Sequence, residues 1–448
     1  MAERSVLVAG AGAAGMMAAL AAAAKGARVR LVERDLAEPS TLALSGGLFA
    51  AAGTRWQRAA AVEDSPALFA EDLRAFTLGT AEPGVARAVV ANAARAAEFL
   101  ADVAGLPLHL HVVGRWPGQS VARLHATPAE SGAELSEMLR NAVARTSRIT
   151  LEDGAELVAL TEEGAELSRA GTRLRVAADA VVLATGGYGA SSTLLAQHAP
   201  AAAVAVHVGG RFSDGTALRV AAPLAPALGC MDAYQGQPHV SPHVLSGTRP
   251  RFGASLPALG AVLVNRTGMR FAPEDIGPSE LTAHLLAQPG GIAVEIWDAA
   301  AQQAALAGGP FRRAAESGVV ARCESLDALA SRFALPVEAL RATLDLAARC
   351  ARGETPDALG RRNWGAPLVP PFFAAEVTGA LAHTQGGLLV DHAARVLRAD
   401  GTPIPRLFAA GGAACGISGA GAAGYVPGNG LAQSFALGLL AGEHAASG

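Results

Sequence analysis

A few side chains in this sequence have types and spacings that could do chemistry. Tyr425, one of three tyrosines, interrupts GISGAGAAGYVPGNGLAQSFALG at 416–438. Glycines explain a tight loop and the apolar run a buried helix, but neither explains an aromatic hydroxyl at the bend. A phenol, with a pKa of about 10 in water, can donate a hydrogen bond to a carbonyl oxygen, or remove a proton if that pKa is lowered. The plainer alternative is a ring that only walls a pocket. His383, in AHTQGG, offers an imidazole for substrate contact or proton transfer, against the alternative of a histidine bonded within a strand end. The stretch YQGQPHVSPH, 234–243, holds Tyr234, Gln237, His239 and His243. Its two histidines have the look of a metal pair, but no third ligand is evident, and no metal is expected.

Phosphate chemistry is written at the other end of the chain. SVLVA, 5–9, reads as a buried parallel strand and runs into Gly10-Ala-Gly12-Ala-Ala-Gly15, then an alanine-rich helix, then RVRLVE ending at Glu33. Gly10 permits the turn, Gly12 lets backbone approach a pyrophosphate, and Gly15 lets helix pack on strand. The helix N-terminus supplies N–H groups and dipole for the phosphates. Glu33 can accept hydrogen bonds from ribose hydroxyls, and its charge disfavours a 2′-phosphate. An adenine dinucleotide is the expected ligand.

These groups need a scaffold of some size. The chain has 448 residues, 51% of them hydrophobic and 17% charged, so two or three domains are expected. A net charge of −3 gives no reason to expect nucleic acid or an anionic membrane as partner. Cys230, Cys323, Cys350 and Cys415 form no CxxC pair. That argues against iron–sulfur clusters, zinc knuckles, attached haem and a disulfide framework, and a reduced cytoplasmic location is the expectation. Ser5–Ala24 carries no charge, but three glycines in its first half argue against a membrane span or signal peptide.

Further segments carry a resemblance. LSGGLFAAAGT (44–54), VVLATGGYG (181–189), GAVLVNRTGMRF (260–271), HTQGGLLVD (383–391), LFAAGG (407–412) and GNGLAQSFALGLLAGEHAA (428–446) follow the opening GAGAAG in that order. The chain so resembles the flavoprotein family of fumarate reductases, succinate dehydrogenase flavoprotein subunits, aspartate oxidases and 3-ketosteroid dehydrogenases. The resemblance implies an α/β fold: a Rossmann-like FAD-binding domain of the glutathione-reductase type, 1–230 and 370–448, with an inserted α+β cap domain, 231–369. It implies FAD held by Gly10, Gly12, Ala14, Gly15, Glu33 and Arg34, then by Thr41, Leu44, Ser45, Gly46 and Gly47. Thr185, Gly186, Gly187, Gly411 and Gly412 follow, and Asn429, Gly430, Leu431 and Ala432 open the helix aimed at the flavin. Ser40 stands where covalently flavinylated relatives have histidine, so the FAD is expected to be non-covalent. In the inserted part, SLDALASRFALPVEALRATLDLAARCARG has helical periodicity with a break after Ala334, and Cys323 and Cys350 read as structural.

The family pattern is also broken in places that matter. Fumarate reductases deliver a proton through arginines and a glutamate, and those positions fall on Ala254, Pro257 and about Ser279, which cannot relay protons. A carboxylate-binding histidine becomes Gln237, with His239 two residues on, and a carboxylate-clamping arginine becomes Tyr425. A dianion held without guanidinium forks loses its bidentate partners, so fumarate and succinate are disfavoured. Among 3-ketosteroid dehydrogenases a tyrosine before a Pro/Gly turn sits in the corresponding loop. His125 resembles a structural or cofactor-adjacent residue, and Tyr188 replaces a phenylalanine.

The expectation is therefore an FAD-dependent dehydrogenase or reductase acting on a CH–CH bond beside a carbonyl or carboxyl group. Hydride moves at flavin N5 while Tyr425, His383 or both handle the proton, with Tyr234, Gln237 and His239 as further candidates. The partners are a small-molecule substrate and an external electron donor or acceptor. The alternatives are an amine or imine oxidase on the same scaffold, or a flavin electron-transfer subunit with no substrate of its own.

Overall fold

The computed structural model describes residues 3–112, 116–245, 249–252, 256–307 and 309–447. The chain divides into two compact units: Met1–Pro200 with Gly209–Gln235 and Ala382–Gly448, and Ala201–Val208 with Gly236–Leu381.

The first unit is built on a six-stranded sheet. Its strands are β1 (Ser5–Ala9), β2 (Arg28–Val32), β3 (Ile149–Glu152), β4 (Ala180–Leu183), β5 (Arg395–Leu397) and β6 (Pro403–Ala409). Their order across the sheet is β5-β6-β4-β1-β2-β3. Only β5 runs antiparallel to its neighbour; the others are parallel. β1 lies inside, and Val6, Leu7, Val8 and Ala9 are each at most 1% exposed. A strand covered on both faces has no polar side, which is why it reads as an unbroken apolar run.

Two helices pack tightly in this unit: α1 (Ala13–Ala24) and α2 (Asn429–Ser447). Eleven consecutive α1 residues, Ala13 through Ala23, are buried, so its apolar character on every side is that of an interior helix. A Cβ at Gly438 would fall 2.7 Å from the Ala14 carbonyl oxygen, and one at Gly442 would fall 2.2 Å from that of Ala18. The two helices meet backbone to backbone through small residues, and the abundant alanine serves that close approach.

The second unit holds another six-stranded sheet, whose long member is Phe372–Thr384. Ile292–Asp298 pairs with it antiparallel, in register Glu295↔Ala375. Val262–Val264 extends the sheet, and Val206–His207 runs parallel on the opposite edge. Alternation along Ile292–Asp298 sends Trp297 into one apolar cluster with Phe252 and Phe311, and Val294 and Ile296 into another with Leu340. Helices Leu326–Phe333 and Val337–Ala351 are separated by Ala334, which is left-handed at φ 52°, and by Leu335-Pro336. Cys323 and Cys350 are buried in this unit.

The two compact units divide at 235/236 and 381/382, inside the strands Tyr234–Val240 and Phe372–Thr384. A strand runs without punctuation from one unit into the next, so no turn signal marks the change. Ala201–Val208 belongs to the second unit because Val206–His207 pairs with its sheet. Among the described residues no helix is long and apolar enough to cross a membrane.

Candidate active site

Strand Phe372–Thr384 ends in His383 and Thr384, and Gln385-Gly386-Gly387 follows. The loop from β6 to α2 runs beside this turn. Cys415 N donates to Leu388 O (2.8 Å) and Gly416 N to Gln385 O (2.7 Å). The pairing brings Tyr425 against His383, edge to face, with ring centroids 6.1 Å apart and planes at 82°. Gly430, in the first turn of α2, touches the other part of the imidazole: a Cβ there would lie 2.8 Å from His383 Cε1.

Gln385 steadies the histidine. Its Oε1 accepts from the Ser418 hydroxyl (3.1 Å), and its Nε2 lies 3.1 Å from His383 Nδ1 and 3.3 Å from Nε2. Gln385 and Ser418 are 2% and 1% exposed, so this contact is shielded from solvent. Sequence reading missed both residues. They lie inside the quoted HTQGG and GISG segments, but nothing in a glutamine or serine announces that it orients a neighbour.

Tyr425 is 7% exposed, and burial pushes its phenol well above the usual tyrosine range, opposed in part by the Gly428 backbone N–H. The hydroxyl is held protonated. That suits a hydrogen-bond donor and removes the basis for a lowered-pKa proton acceptor. Tyr234 is also buried, with its phenol likewise raised by burial, and its backbone N–H donates to Gly421 O (3.1 Å). The Tyr188 hydroxyl donates to the Met231 carbonyl and is spent on structure.

Gln237 and His239 lie in the second unit. His239 is buried against Glu295, Nδ1 to Oε2 3.0 Å, and His243 reaches Glu376 at 3.1 Å near the surface. Each histidine of the apparent metal pair has its own carboxylate, and no metal-holding group of three or more His, Cys, Asp or Glu occurs among the described residues. Ser279 Oγ accepts from Gly236 N at 2.7 Å, and Pro257 opens a short 3-10 turn. Ala254 lies outside the described residues.

The glycine turns of the first unit divide by what surrounds them. Gly10 is at φ 102°, and a Cβ there would meet the Ala184 carbonyl oxygen at 2.3 Å; one at Gly15 would meet Gly10 O at 1.7 Å. Around Gly12, the N-cap of α1, and around Gly46, a Cβ would meet nothing within 4 Å. Gly412 approaches Gly187 N (2.6 Å from a built Cβ) and Gly411 approaches Ala14, so the 184–187 and 411–412 turns meet beside the start of α1. Glu33 receives backbone N–H bonds from Ala11 (2.6 Å) and Arg34 (2.8 Å). The Arg34 guanidinium is committed elsewhere, to Asp214 and Glu156 at 3.0 Å each and over the Phe212 ring. Thr41 Oγ1 accepts from Gly210 N, and Ser45 Oγ donates to Leu42 O and accepts from Gly47 N. Leu44 N donates to Ser40 O.

Several buried polar atoms have no hydrogen-bond partner among the described residues, and two of the residues concerned lie in the glycine-turn segments. Asn429, 0% exposed at the start of α2, has neither side-chain polar atom bonded, and Thr185 Oγ1 is also without a partner among the described residues. A buried polar group without a partner costs on the order of 1–3 kcal/mol, so such groups point to something absent from the protein itself. Open space at Gly12, an uncapped helix start, a ribose-ready carboxylate and these donors and acceptors fit a dinucleotide-flavin. His125, by contrast, is fully occupied: Nε2 meets Thr54 Oγ1 (2.8 Å), Nδ1 meets Arg123 O (3.0 Å), and the ring stacks on Phe49. Beside it Arg123 is buried between Asp64 and Asp72, at 2.8 Å from each.

Comparison with known proteins agrees with this geometry. Residues 5–431 match the family described as FAD binding domain. The chain belongs to that family: it is an FAD-binding oxidoreductase. It is 29% identical over 455 residues to the NADH:fumarate oxidoreductase of Klebsiella pneumoniae (strain 342), covering 98% of this chain and 47% of that protein. The chain thus spans about half the length of that relative. Among solved structures, a flavocytochrome c3 fumarate reductase in its open conformation superposes with a TM-score of 0.84 at 26% identity, over 99% of this chain and 78% of the other. The 3-ketosteroid-Δ4-(5α)-dehydrogenase of Rhodococcus jostii RHA1 in complex with 4-androstene-3,17-dione gives 0.78 at 26% identity, over 99% and 97%.

Proposed function

We propose that this protein is a dehydrogenase or ene-reductase acting on a CH–CH bond beside a carbonyl group, with a neutral substrate in preference to a C4 dicarboxylate. The observation that carries the reading is the buried Tyr425 phenol, kept protonated and set edge to face on His383. FAD supplies hydride acceptance or donation when bound. Tyr425 donates a hydrogen bond to the substrate carbonyl oxygen and so stabilises the negative charge that develops there. His383, oriented by Gln385, carries the proton at the carbon next to that carbonyl. A phenol in place of a guanidinium leaves a second carboxylate without a bidentate partner, which argues against fumarate and succinate. Tyr234, Gln237 and His239 stay as candidates for further substrate contact.

The first unit acts in this proposal as the Rossmann-like FAD-binding domain, of the glutathione-reductase type, and the second as the inserted domain of the family plan. The FAD is bound non-covalently, with Gly12 toward the pyrophosphate, Glu33 toward the adenosine ribose, and Asn429, Gly430, Leu431 and Ala432 toward the flavin. Electron balance requires a separate donor or acceptor. The test is anaerobic mixing of the FAD-loaded protein with panels of saturated ketones, cyclic enones, amines and fumarate, following flavin absorbance. Bleaching by ketones, or reoxidation of chemically reduced protein by enones, supports the reading. Bleaching by amines alone, or turnover of fumarate alone, sinks it, and silence toward every panel favours an electron-transfer subunit.

A further inference from the structure

Two cysteines that stand 185 positions apart in the sequence, Cys230 and Cys415, meet in the first unit. The meeting is made by a pair of glycines. A Cβ at Gly386 would strike the Met231 Cα at 2.5 Å and the Cys230 carbonyl oxygen at 2.6 Å, and one at Gly387 would strike the Ala414 backbone at 2.6 Å. With no side chain on either, the Gly386-Gly387 turn lets the cysteine-bearing segments close in from its two sides. Gly387 is paired with Gly229, Leu388 bridges to Ala414, and a Cβ at Gly229 would lie 2.8 Å from Cys415 Sγ. Beyond the turn the segments stay together, as Gly421 N donates to Asp232 (3.1 Å) and Tyr234 N to Gly421 O (3.1 Å).

The two thiols are not equivalent. Cys415 is 0% exposed, whereas Cys230 is half-buried and holds φ 49°, a conformation that non-glycine residues rarely adopt. The Cys415 thiol donates to the Gly416 carbonyl oxygen (3.6 Å). Its closeness to Cys230 lowers the Cys230 pKa. The Glu82 backbone N–H, at the cap of helix Pro83–Asp102, adds to that, while burial and the Asp232 and Glu82 carboxylates oppose it. The same contact and burial raise the Cys415 thiol. An accessible sulfur with thiolate character beside a buried thiol is the arrangement in which one attacks and the other resolves.

We propose that Cys230 and Cys415 are a redox modification site that closes to a reversible disulfide under peroxide. The Cys230 thiolate attacks the peroxide O–O bond; a sulfur–oxygen bond forms, the O–O bond breaks, and hydroxide leaves and takes up a proton. Cys415 sulfur then attacks the sulfenic sulfur, forming S–S, and the sulfenic oxygen departs as a second water with the Cys415 proton. Two thiols and hydrogen peroxide become a disulfide and two waters. The bond ties the loop that carries Tyr425 to the segment that leads into Tyr234, so the site reports oxidant from beside the candidate catalytic pair.

The test uses the full chain with FAD bound, reduced, desalted and treated with hydrogen peroxide. Remaining thiols are alkylated and the peptides mapped by mass spectrometry with and without dithiothreitol. The expected product is a Cys230–Cys415 cross-linked peptide, about 2 Da below the sum of its thiol forms and opened by dithiothreitol. Cys323 and Cys350 stay alkylatable. In Cys230→Ser the cross-link is absent and Cys415 remains a free thiol; in Cys415→Ser, Cys230 advances to sulfinic acid or stays sulfenic. Wild-type protein that leaves both cysteines alkylatable after peroxide, carries Cys230 to sulfinic acid beside a free Cys415 thiol, or links either one to a different cysteine overturns the proposal. The wild-type map stands even where a variant folds poorly.

Discussion

His383 and Tyr425 meet edge to face at 6.1 Å across the turn that joins a strand end to a glycine-rich loop, 42 positions apart in the chain. The positive ring edge of one residue lies toward the π face of the other, which fixes the orientation of both. Gly430 closes the remaining side of the imidazole. The histidine therefore has little room to turn, and the phenol is desolvated with it.

Tyr425→Phe keeps the ring packing and removes only the hydroxyl. We expect the variant to retain FAD and to lose about 10²-fold in kcat on a carbonyl substrate, the scale seen when one oxyanion donor is removed. Burial raises the phenol pKa, so the hydroxyl stays protonated through the neutral range and up to its ordinary value of about 10. The wild-type kcat then shows no alkaline limb from Tyr425 below about pH 10. Equal kcat in both proteins would leave the ring as a pocket wall.

Gln385 offers a contrast between positioning and contact. Gln385→Glu preserves size but replaces the amide donor beside the imidazole with an acceptor. The expected outcome is an apparent pKa for His383 raised by the new carboxylate, visible as a displaced acidic limb in the kcat profile. An unmoved limb with unchanged kcat would show that Gln385 only packs.

What the sequence disclosed and what it hid differ in kind. Gly10 and Gly15 were legible because a turn and a close backbone approach restrict residue type locally, and the strand–helix–strand order supplied their context. Helix start Asn429 was legible from the glycines before it and the apolar run after it. The pairing of Cys230 with Cys415, of His239 with Glu295, and of Arg123 with Asp64 and Asp72 was not, since each joins positions whose separation carries no periodic or spacing signal. The divisions at 235/236 and 381/382 leave no mark for a related reason: they fall inside the strands Tyr234–Val240 and Phe372–Thr384.

The glycines permit a test that separates folding from binding. Gly10 sits at φ 102° with Ala184 O at 2.3 Å from a built Cβ, whereas Gly12 faces open space. Gly10→Ala is expected to destabilise the protein by about 1–3 kcal/mol, through strain and clash. Gly12→Ala should leave the melting temperature of FAD-free protein unchanged and weaken FAD binding, since the methyl enters the space assigned to the pyrophosphate. Denaturant melts and FAD titration check both. Intact FAD affinity in Gly12→Ala would remove Gly12 from the cofactor site.

His125 sets a pH dependence of stability. Burial lowers its pKa from 6.5 to about 4. The unfolded chain therefore binds the proton more readily than the folded one between those values, and stability falls as pH drops from 6.5 to about 4. Below that both states are protonated and the effect saturates. The full shift corresponds to about 3 kcal/mol at most. His125→Gln should flatten this part of the curve relative to wild type in denaturant melts taken from pH 7 to 4. Parallel curves would show that carboxylates alone set the acid limit.

Asn429 gives a prediction whose sign differs with and without cofactor. Both polar atoms of its buried amide lack a partner among the described residues, and the residue opens the helix assigned to the flavin. In FAD-free protein, Asn429→Leu removes an unsatisfied buried amide at nearly constant volume, so the melting temperature should hold or rise. In FAD-loaded protein the same change removes hydrogen bonds to the ligand. It should weaken FAD binding by about 10-fold, the equivalent of one hydrogen bond. Flavin fluorescence on dilution reads the affinity, and calorimetric melts of both forms read the stability. A variant that is destabilised without FAD, yet binds FAD as tightly as wild type, would mean that the amide serves the fold and not the cofactor.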